Sequence, residues 1–161
     1  MKNYRKSILL YLLLVASMFN SLKAQETGDE DNLQIESATL GYIENFFENN
    51  FEEMSFYLHH ELAKRGISKK RGVEEYYFEN LSMEKLKNML ASKKALSKQD
   101  QINQVEILDV FRNTASVKLT TGYPGRMKWI EYIHLVKVEG EWKIANIMWD
   151  YYPMKPKNRR K

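Results

Sequence analysis

The chain has 161 residues, of which 43% are hydrophobic and 29% are charged, and its formal net charge is +4. It contains no cysteine, which excludes disulfide bonds, a cysteine nucleophile and lipid attachment at a cysteine. No GxSxG, Walker, zinc-spacing or dinucleotide-binding motif occurs in the sequence, so no enzyme class that depends on these motifs is predicted.

The first 24 residues have the three-part layout of a secretory signal peptide. Basic residues precede an apolar run from Ile8 to Phe19, and Ala24 stands just before the expected cleavage point. The run is too short to span a bilayer, which takes about 20 residues. The sequence therefore predicts a secreted or periplasmic protein, cut after Ala24, with no stable membrane insertion after cleavage.

The basic residues of the chain are concentrated at its two ends. Residues 1–24 contain four Lys or Arg and no acid, and residues 155–161 contain five Lys or Arg. The stretch between them, residues 25–154, contains 16 basic and 21 acidic residues. A nucleic-acid-binding domain carries a basic face, so we do not expect nucleic acid as a partner.

One domain is expected over residues 37–153, because the length left after cleavage suffices for a single core. A polar, acidic lead-in at residues 25–36 is expected to be disordered. The basic tail at residues 154–161 has no apolar content to bury and is expected to be loose.

Three helices are predicted in the first two-thirds of the chain. Apolar residues at spacings of three and four predict the first over residues 33–49. It contains Gly41, which costs roughly 1 kcal/mol inside a helix, so we expect a neighbour to pack closely there. The second helix is predicted from Phe51 to Leu58. The third is predicted from Met83 to Lys93, with Ser82 as its N-cap.

The predicted strands begin with a small hairpin, in which residues 63–67 pair with residues 73–78 around a basic turn. Four more strands follow, separated by turn signals: Val105–Phe111, Ala115–Thr121, Met127–Val138 and Glu141–Asp150. The expected fold class is α+β, with three N-terminal helices packed in a curved, mostly antiparallel β-sheet.

Four segments carry a resemblance to a known superfamily: Gly41–Glu44, Leu58–Arg65, Trp129–Leu135 and Gly140–Asn146. With the order of helices and strands, they resemble the nuclear transport factor 2-like superfamily, which includes SnoaL-like and ketosteroid-isomerase-like cone folds. The chain is most similar to its lumazine-binding-like family, from about Ser37 to Trp149. The resemblance implies a cone-shaped pocket that takes a flat heterocycle. No cofactor is expected.

The two faces of the strand Met127–Val138 offer different chemistry, and the sequence leaves open which of them faces inward. Tyr132 and His134 share one face, on which His134 is a candidate general base, since imidazole titrates near neutral pH. Trp129 and Glu131 share the other face, on which Trp129 could stack on a planar ring. The alternatives are an exposed or subunit-facing His134 and a Trp129 that only packs under the sheet edge.

Further candidate residues lie elsewhere in the chain. Asp109 interrupts an apolar strand, where burial would raise its pKa and suit it to acid or base chemistry; a solvated edge-strand position explains it equally well. Arg65 is a candidate for binding an anionic ligand group, or else for a surface ion pair. Tyr57 and His59, at the end of the second helix, are candidate contacts at the pocket rim.

A metal site at His59 and His60 is not expected. Adjacent side chains on extended backbone point apart, and His134 is the one further histidine in the sequence. Zinc takes three or more protein ligands in most sites.

The favoured function is that of an exported, non-catalytic protein that binds a small planar organic molecule. One alternative is an enzyme of the isomerase, cyclase or dehydratase type that uses His134 or Asp109 as general base. Another is a protein-interaction module with an occluded pocket. The chain contains 10 Tyr, 7 Phe and 3 Trp, and this aromatic surplus suits a homodimer formed through the sheet.

Overall fold

The computed structural model describes residues 28–69 and 75–152. The expected signal peptide and basic tail lie outside these residues. The chain divides into two compact units at Gln34/Ile35. The described part of the first unit, residues 28–34, is helical. The second unit contains the remaining elements and the candidate site.

The described residues form three α-helices and six β-strands. These are α1 (residues 28–48), α2 (Phe51–Ser55), β1 (Leu58–Lys69), β2 (Tyr76–Leu81), α3 (Met83–Ser92), β3 (Ile102–Phe111), β4 (Thr114–Tyr123), β5 (Arg126–Val138) and β6 (Glu141–Tyr151). A short 3₁₀ helix, Lys98–Asp100, precedes β3. The protein is therefore of the α+β class, as its sequence predicts. None of the described helices combines the length and apolar character needed to cross a membrane.

The structure differs from the disordered lead-in expected at residues 25–36. Residues 28–36 are helical, and Ile35 is fully buried. The apolar stripe of α1 thus begins earlier than the predicted domain boundary. It continues at helical spacing through Ala38, Tyr42, Ile43, Phe46 and Phe47, all of them buried.

A tight reversal joins α1 to α2. Asn49 has a φ of 63°, a left-handed conformation that asparagine tolerates well at a helix end. The amide of Asn50 donates to the carbonyl of Asn45 at 3.0 Å. The Asn50 side chain then caps α2 by accepting a hydrogen bond from the amide of Glu53. The break predicted at Asn49-Asn50 is therefore present.

Gly41 has the close neighbour that its position predicts. A Cβ atom at Gly41 would lie 2.3 Å from Cζ of Tyr57, so the glycine lets the tyrosine ring lie against α1. The second helix ends at Ser55, earlier than predicted, because the chain turns at Phe56 and Tyr57. The amide of Ile144 donates to the Tyr57 carbonyl at 2.8 Å and holds this turn against the sheet.

The six strands form one mixed sheet in the order β2-β1-β6-β5-β4-β3. The β1–β6 pair is parallel, and the other four pairs are antiparallel. The predicted hairpin is present as β1–β2, with Ile67 opposite Phe78. The last hairpin turns at Glu139 and Gly140, whose φ values of 53° and 86° suit a two-residue turn between antiparallel strands.

The core lies on one face of this sheet. Buried side chains alternate along β4, β5 and β6: Ala115, Val117, Leu119, Ile133, Leu135, Trp142, Ile144 and Ile147. They form one cluster with the buried stripe of α1, with Met54 of α2, and with Leu86 and Leu90 of α3. Ser82 caps α3 as predicted, accepting a hydrogen bond from the amide of Lys85. The helices therefore cover the same sheet face that presents the candidate site.

Candidate ligand-binding site

Three buried polar side chains meet on the core side of the sheet. Lys64 Nζ donates to Oε1 of Glu131 at 2.9 Å and to the hydroxyl of Tyr42 at 2.7 Å. The Tyr42 hydroxyl donates to Oε2 of Glu131 at 2.9 Å. Lys64 is 3% exposed, Glu131 is 4% exposed and Tyr42 is fully buried. This Tyr42–Lys64–Glu131 cluster is a closed ring of hydrogen bonds that engages both carboxylate oxygens.

The sheet topology explains why a lysine reaches this carboxylate. Lys64 on β1 is paired with Ile147 of β6, and Glu131 on β5 is paired with Trp149 of β6. The two residues are thus two strands apart, and neighbouring strands lie about 4.8 Å from one another. The long lysine stem bridges this separation, because it carries the ammonium group across β6.

The surroundings of Tyr42 keep its hydroxyl protonated. Burial raises the pKa of the Tyr42 hydroxyl well above its usual value, and the charge and hydrogen bond of Glu131 raise it further. Tyr42 is therefore a protonated donor and not a base at neutral pH. A buried lysine and carboxylate are tolerated when they are paired and hydrogen-bonded, and the cluster meets both conditions.

Aromatic faces surround the ammonium group of Lys64. Its Nζ lies 5.0 Å from the ring centre of Trp149, 5.2 Å from that of Tyr42 and 5.9 Å from that of Phe46. These distances are within the range of cation–π attraction, about 6 Å. The cluster thus sits in a setting that is both charged and aromatic.

A cavity of about 300 Å³ opens beside the cluster. Its aromatic lining consists of Phe46, Trp129, Trp149 and Tyr151. Its charged lining consists of Lys64, Lys93, Lys128, Glu79 and Glu131, with Ser68, Leu81 and Met89 completing the wall. Ligand pockets range over roughly 300–1,000 Å³, so this one suits a small molecule.

Gly66 fixes one wall of the cavity. It lies opposite Trp149 in the β1–β6 register, and a Cβ atom there would lie 2.2 Å from the Trp149 carbonyl oxygen and 2.5 Å from its indole ring. The indole N–H donates to the Ile67 carbonyl at 3.0 Å. Glycine and this hydrogen bond together hold the indole against β1.

Trp129 forms another wall. Its ring packs edge-on against Phe46, with centroids 6.0 Å apart, and lies 6.1 Å from the ring of Phe47. Lys128 Nζ lies 4.0 Å from the centre of the Trp129 ring. Trp129 is half-buried, so it both packs in the core and contributes surface to the cavity.

Lys93, just after α3, is the second lysine of the lining. Its Nζ donates to the Phe46 carbonyl at 2.5 Å and lies 3.6 Å from the centre of the Phe46 ring. Burial, with the positive charges of Lys128 and Lys64, lowers the pKa of Lys93 to about 7. Burial and Arg126 also lower the pKa of Lys128. Both lysines therefore stand in an environment that disfavours their charge.

The structure places the two faces of β5 on opposite sides of the sheet. Trp129 and Glu131 face the core and line the cavity. Tyr132 is 49% exposed, and His134 is exposed on the same outer face, with its Nδ1 3.0 Å from Nδ2 of Asn146. The pair Tyr132 and His134 is thus apart from the cavity, while the pair Trp129 and Glu131 belongs to it.

Three other predicted site residues lie outside the cavity lining. Asp109 is exposed on β3, next to a register shift in the β3–β4 pairing. Arg65 is half-buried, and its Nε is buried without a hydrogen-bond partner in the described part of the chain. Tyr57 packs against Gly41. The structure does not bring these three side chains together with Trp129 and Glu131.

His59 lines a separate cavity of about 530 Å³, bounded by β1 and the β5–β6 turn. The expectation that His59 and His60 point apart is wrong, because their ring centroids lie 4.2 Å from one another. The β1–β6 register shifts between Leu58 and Ala63, and this irregularity breaks the alternation of side chains. Among the described residues, the donor atoms of His59, His60 and Glu61 come close enough to share one metal ion.

Sequence reasoning assigned no site role to Tyr42, Lys64, Lys93, Lys128 or Trp149. One signal was available for Tyr42, which lies on the buried stripe of α1, where a tyrosine hydroxyl needs a partner. The lysines carry no comparable signal, because their burial depends on pairing between distant segments.

The α+β fold, with its cavity on the helix-covered face of the sheet, is the fold of nuclear transport factor 2-like proteins. The structure is similar to an NTF2-like protein of unknown function from Shewanella baltica, with a TM-score of 0.60 and 15% identity over 78% of this chain and 96% of that chain. It is similar to another NTF2-like protein of unknown function, from Methylobacillus flagellatus, with a TM-score of 0.60 and 19% identity over 77% of this chain and 94% of that chain. It is also similar to a ketosteroid isomerase-like protein from Erwinia carotovora, with a TM-score of 0.52 and 15% identity over 76% and 96%.

At these identities the likeness establishes the fold. The family model described as "Putative lumazine-binding" matches residues 24–150, and the chain belongs to this family. No curated protein matches the sequence significantly.

Proposed function

We propose that the protein is an exported, non-catalytic binding protein that holds a small planar organic molecule in the cavity beside the Tyr42–Lys64–Glu131 cluster. The observation that supports this proposal is the lining of the cavity. Flat aromatic walls are combined with buried, hydrogen-bonded polar groups at the bottom of the cavity. Aromatic walls with a few fixed polar groups are typical of small-molecule sites. The family description names lumazine, a planar heterocycle of the same kind.

Lys64 provides a specific anchor for such a ligand. An ammonium group has three N–H donors, and in the described part of the chain Lys64 directs two of them at Glu131 and Tyr42. Lys64 lines the cavity, so its third N–H donor is available to a ring carbonyl or ring nitrogen of the ligand. The walls formed by Trp129 and Trp149 would then stack on or flank the ring.

The positions of the candidate bases favour binding over catalysis. His134 and Asp109 are exposed and lie outside the cavity lining, and Tyr42 holds its proton at neutral pH. The cavity volume of about 300 Å³ also favours a binding protein over an interaction module with an occluded interior. An open cavity whose lining includes neither His134 nor Asp109 suits a carrier or sensor of a small molecule.

A thermal-shift screen of the purified protein with pterins, flavins and steroid-like rings tests this function. A ligand that binds only the folded state stabilises it by about 2.7 kcal/mol at 100 times its Kd, and this stabilisation raises the melting temperature. We expect at least one planar class to do so. Trp129→Ala should lose the shift, and the control Phe111→Ala, which removes a 69% exposed ring on β3, should keep it. Failure of every planar class on the unmodified protein would contradict the proposal.

Export is proposed from residues 1–24. Expression in a bacterial host that secretes through signal peptides, followed by intact-mass analysis of the exported fraction, tests it. We expect a chain that begins at Gln25. Recovery of the uncut chain in the cytoplasmic fraction would contradict export.

A further inference from the structure

We infer that the ligand carries an anionic group, of the carboxylate or phosphate type, which Lys93 and Lys128 bind while the planar body lies beside Phe46, Trp129 and Trp149. This inference rests on the proposed function and specifies the substrate class of the same cavity. It follows from a contrast among the lysines of the cavity. Lys64 is paired with Glu131, whereas Lys93 and Lys128 form no ion pair with any of the described residues.

The cationic side of the cavity exceeds the anionic side. Three lysines and two glutamates line it. Glu131 is bound to Lys64, and Glu79 accepts a hydrogen bond from Ser68.

Neither Lys93 nor Lys128 forms an ion pair with any of the described residues. Lys93 donates to the Phe46 carbonyl, and Lys128 lies over the ring of Trp129. Both lysines are half-buried, whereas Lys64 is buried. Lys93 and Lys128 thus lie at the more exposed side of the cavity without a protein counter-ion among the described residues. At the buried side, Glu131 compensates the charge of Lys64.

Aromatic walls alone would also suit a cationic ring, but the lysines argue against one. A cation in this cavity would meet three lysines. Of the two carboxylates, Glu131 is already engaged with Lys64 and Glu79 accepts a hydrogen bond from Ser68. An anion instead relieves the repulsion among the lysines and accepts charge-assisted hydrogen bonds from them. The charge pattern therefore selects acids among planar molecules.

Anion binding should be coupled to proton uptake at Lys93, whose pKa burial and nearby lysines lower to about 7. A bound carboxylate favours the ammonium form and raises this pKa. The charged and titratable groups that line the cavity with Lys93 are Lys64 on β1, Glu79 on β2, Lys128 and Glu131 on β5, and Tyr151 on β6. Glu131 is bound to Lys64 and Glu79 accepts a hydrogen bond from Ser68, so a bound anion adds a new negative charge beside Lys93.

Matched pairs of ligands separate the acid from the ring. We would titrate the purified protein by calorimetry with naphthalene-2-carboxylate and naphthalene-2-carboxamide, and with pterin-6-carboxylate and 6-hydroxymethylpterin. The acid of at least one pair should bind about tenfold more tightly than its neutral partner, as expected for a hydrogen bond to a charged group. At pH 8, binding of the naphthalene carboxylate should be accompanied by proton uptake at Lys93, measured from titrations in buffers of different ionisation enthalpy.

Charge-removing variants locate the anion site. Lys93→Met and Lys128→Met keep an apolar stem, and each should weaken the acid about tenfold while leaving the neutral partner within about threefold. Lys93→Met should also abolish the proton uptake. The control Lys118→Met removes a half-buried lysine on β4 that pairs with Glu106 and does not line the cavity, and it should leave both affinities unchanged.

The outcomes are distinct. Equal affinity for the acid and the neutral partner would overturn the anion assignment and leave the proposed function standing. Equal weakening by Lys118→Met would overturn it too, since it would indicate only a general charge effect. Binding of no member of either pair would overturn the anion assignment, whereas the proposed function is overturned only if every planar class also fails in the thermal-shift screen.

Discussion

Lys64 and Lys93 line the same cavity, but the protein treats their charges differently. Lys64 is buried with a carboxylate, a tyrosine hydroxyl and three aromatic rings around it. Lys93 is half-buried with a carbonyl and two aromatic rings beside it, and burial, with the charges of Lys128 and Lys64, lowers its pKa. The fold satisfies the first charge internally and leaves the second to be satisfied from outside.

This contrast separates a structural role from a binding role within one cavity. Removing a partner of Lys64 leaves a buried charge without compensation, so the stability of the fold should fall. Removing Lys93 relieves a repulsion, so stability should be preserved while acid binding is lost. The contrast makes predictions that differ in sign as well as in size.

The largest effect is expected from Glu131→Gln. The change leaves the Lys64 ammonium buried without its counter-ion, and breaking a buried pair costs about 3–5 kcal/mol. The free energy of unfolding from urea titration measures this loss. Glu106→Gln is the matched control, because its partner Lys118 is exposed enough that the pair contributes about 0–1 kcal/mol.

A second variant sharpens the same point. Lys64→Met combined with Glu131→Leu removes both charges, and such apolar replacements are often neutral or stabilising. We expect the double variant to recover most of the loss seen in Glu131→Gln. A loss below about 1 kcal/mol in the single variant would mean that the cluster is not a structural element.

The next effect is expected from Gly66→Ala. The added Cβ would lie 2.2 Å from the backbone carbonyl oxygen of Trp149, so the β1–β6 pair must shift, at a cost of about 1–3 kcal/mol. Ligand affinity should fall too, since the indole of Trp149 moves. Gly28→Ala is the control, because a Cβ there meets nothing within 4 Å. Unchanged stability in Gly66→Ala would contradict the close packing of Trp149 on β1.

A smaller effect is expected from pH acting through Lys93. Its folded-state pKa, about 7, lies below its unfolded value, so between about pH 7 and pH 10 the unfolded state binds more protons and stability rises with pH. The unmodified protein should therefore gain about 1 kcal/mol over Lys93→Met between pH 6 and pH 9, after allowing for solvent screening. Urea unfolding at both pH values measures this difference. A difference that stays constant or falls with pH would contradict the assignment.

The smallest effect is expected from His134→Ala. His134 is exposed on the outer face of β5, and surface substitutions usually change stability by less than about 0.5 kcal/mol. Ligand affinity should be unchanged too, because the cavity lies on the opposite face. Loss of binding in this variant, measured by the same calorimetry, would restore the role that the sequence suggests for His134.

The fold is largely predictable from the sequence because its signals are local. Alternating strands separated by turns such as Glu139-Gly140 predict β3 to β6 to within a few residues. The buried stripe of α1 and the cap at Ser82 predict two of the helices in the same way. These features depend on neighbours within a few positions of each other.

The site is only partly predictable because it depends on long-range pairing. Glu131 and Trp129 were recognised as one face of a strand, and the apolar neighbours Ile133 and Leu135 on that face could have identified it as the inner one. Lys64 could not be identified, since its burial requires the parallel pairing of β1 with β6. Lys93 could not be identified either, because its position depends on the end of α1, where the Asn49 side chain donates to its carbonyl.

A crystal structure of the protein with pterin-6-carboxylate tests the central claim most directly. The account predicts that the ring lies in the cavity bounded by α1, β1, β5 and β6, within hydrogen-bond reach of Lys64 Nζ. The carboxylate should lie beside Lys93 and Lys128. A ligand bound elsewhere, for example beside His59, or a carboxylate turned away from both lysines, would contradict it.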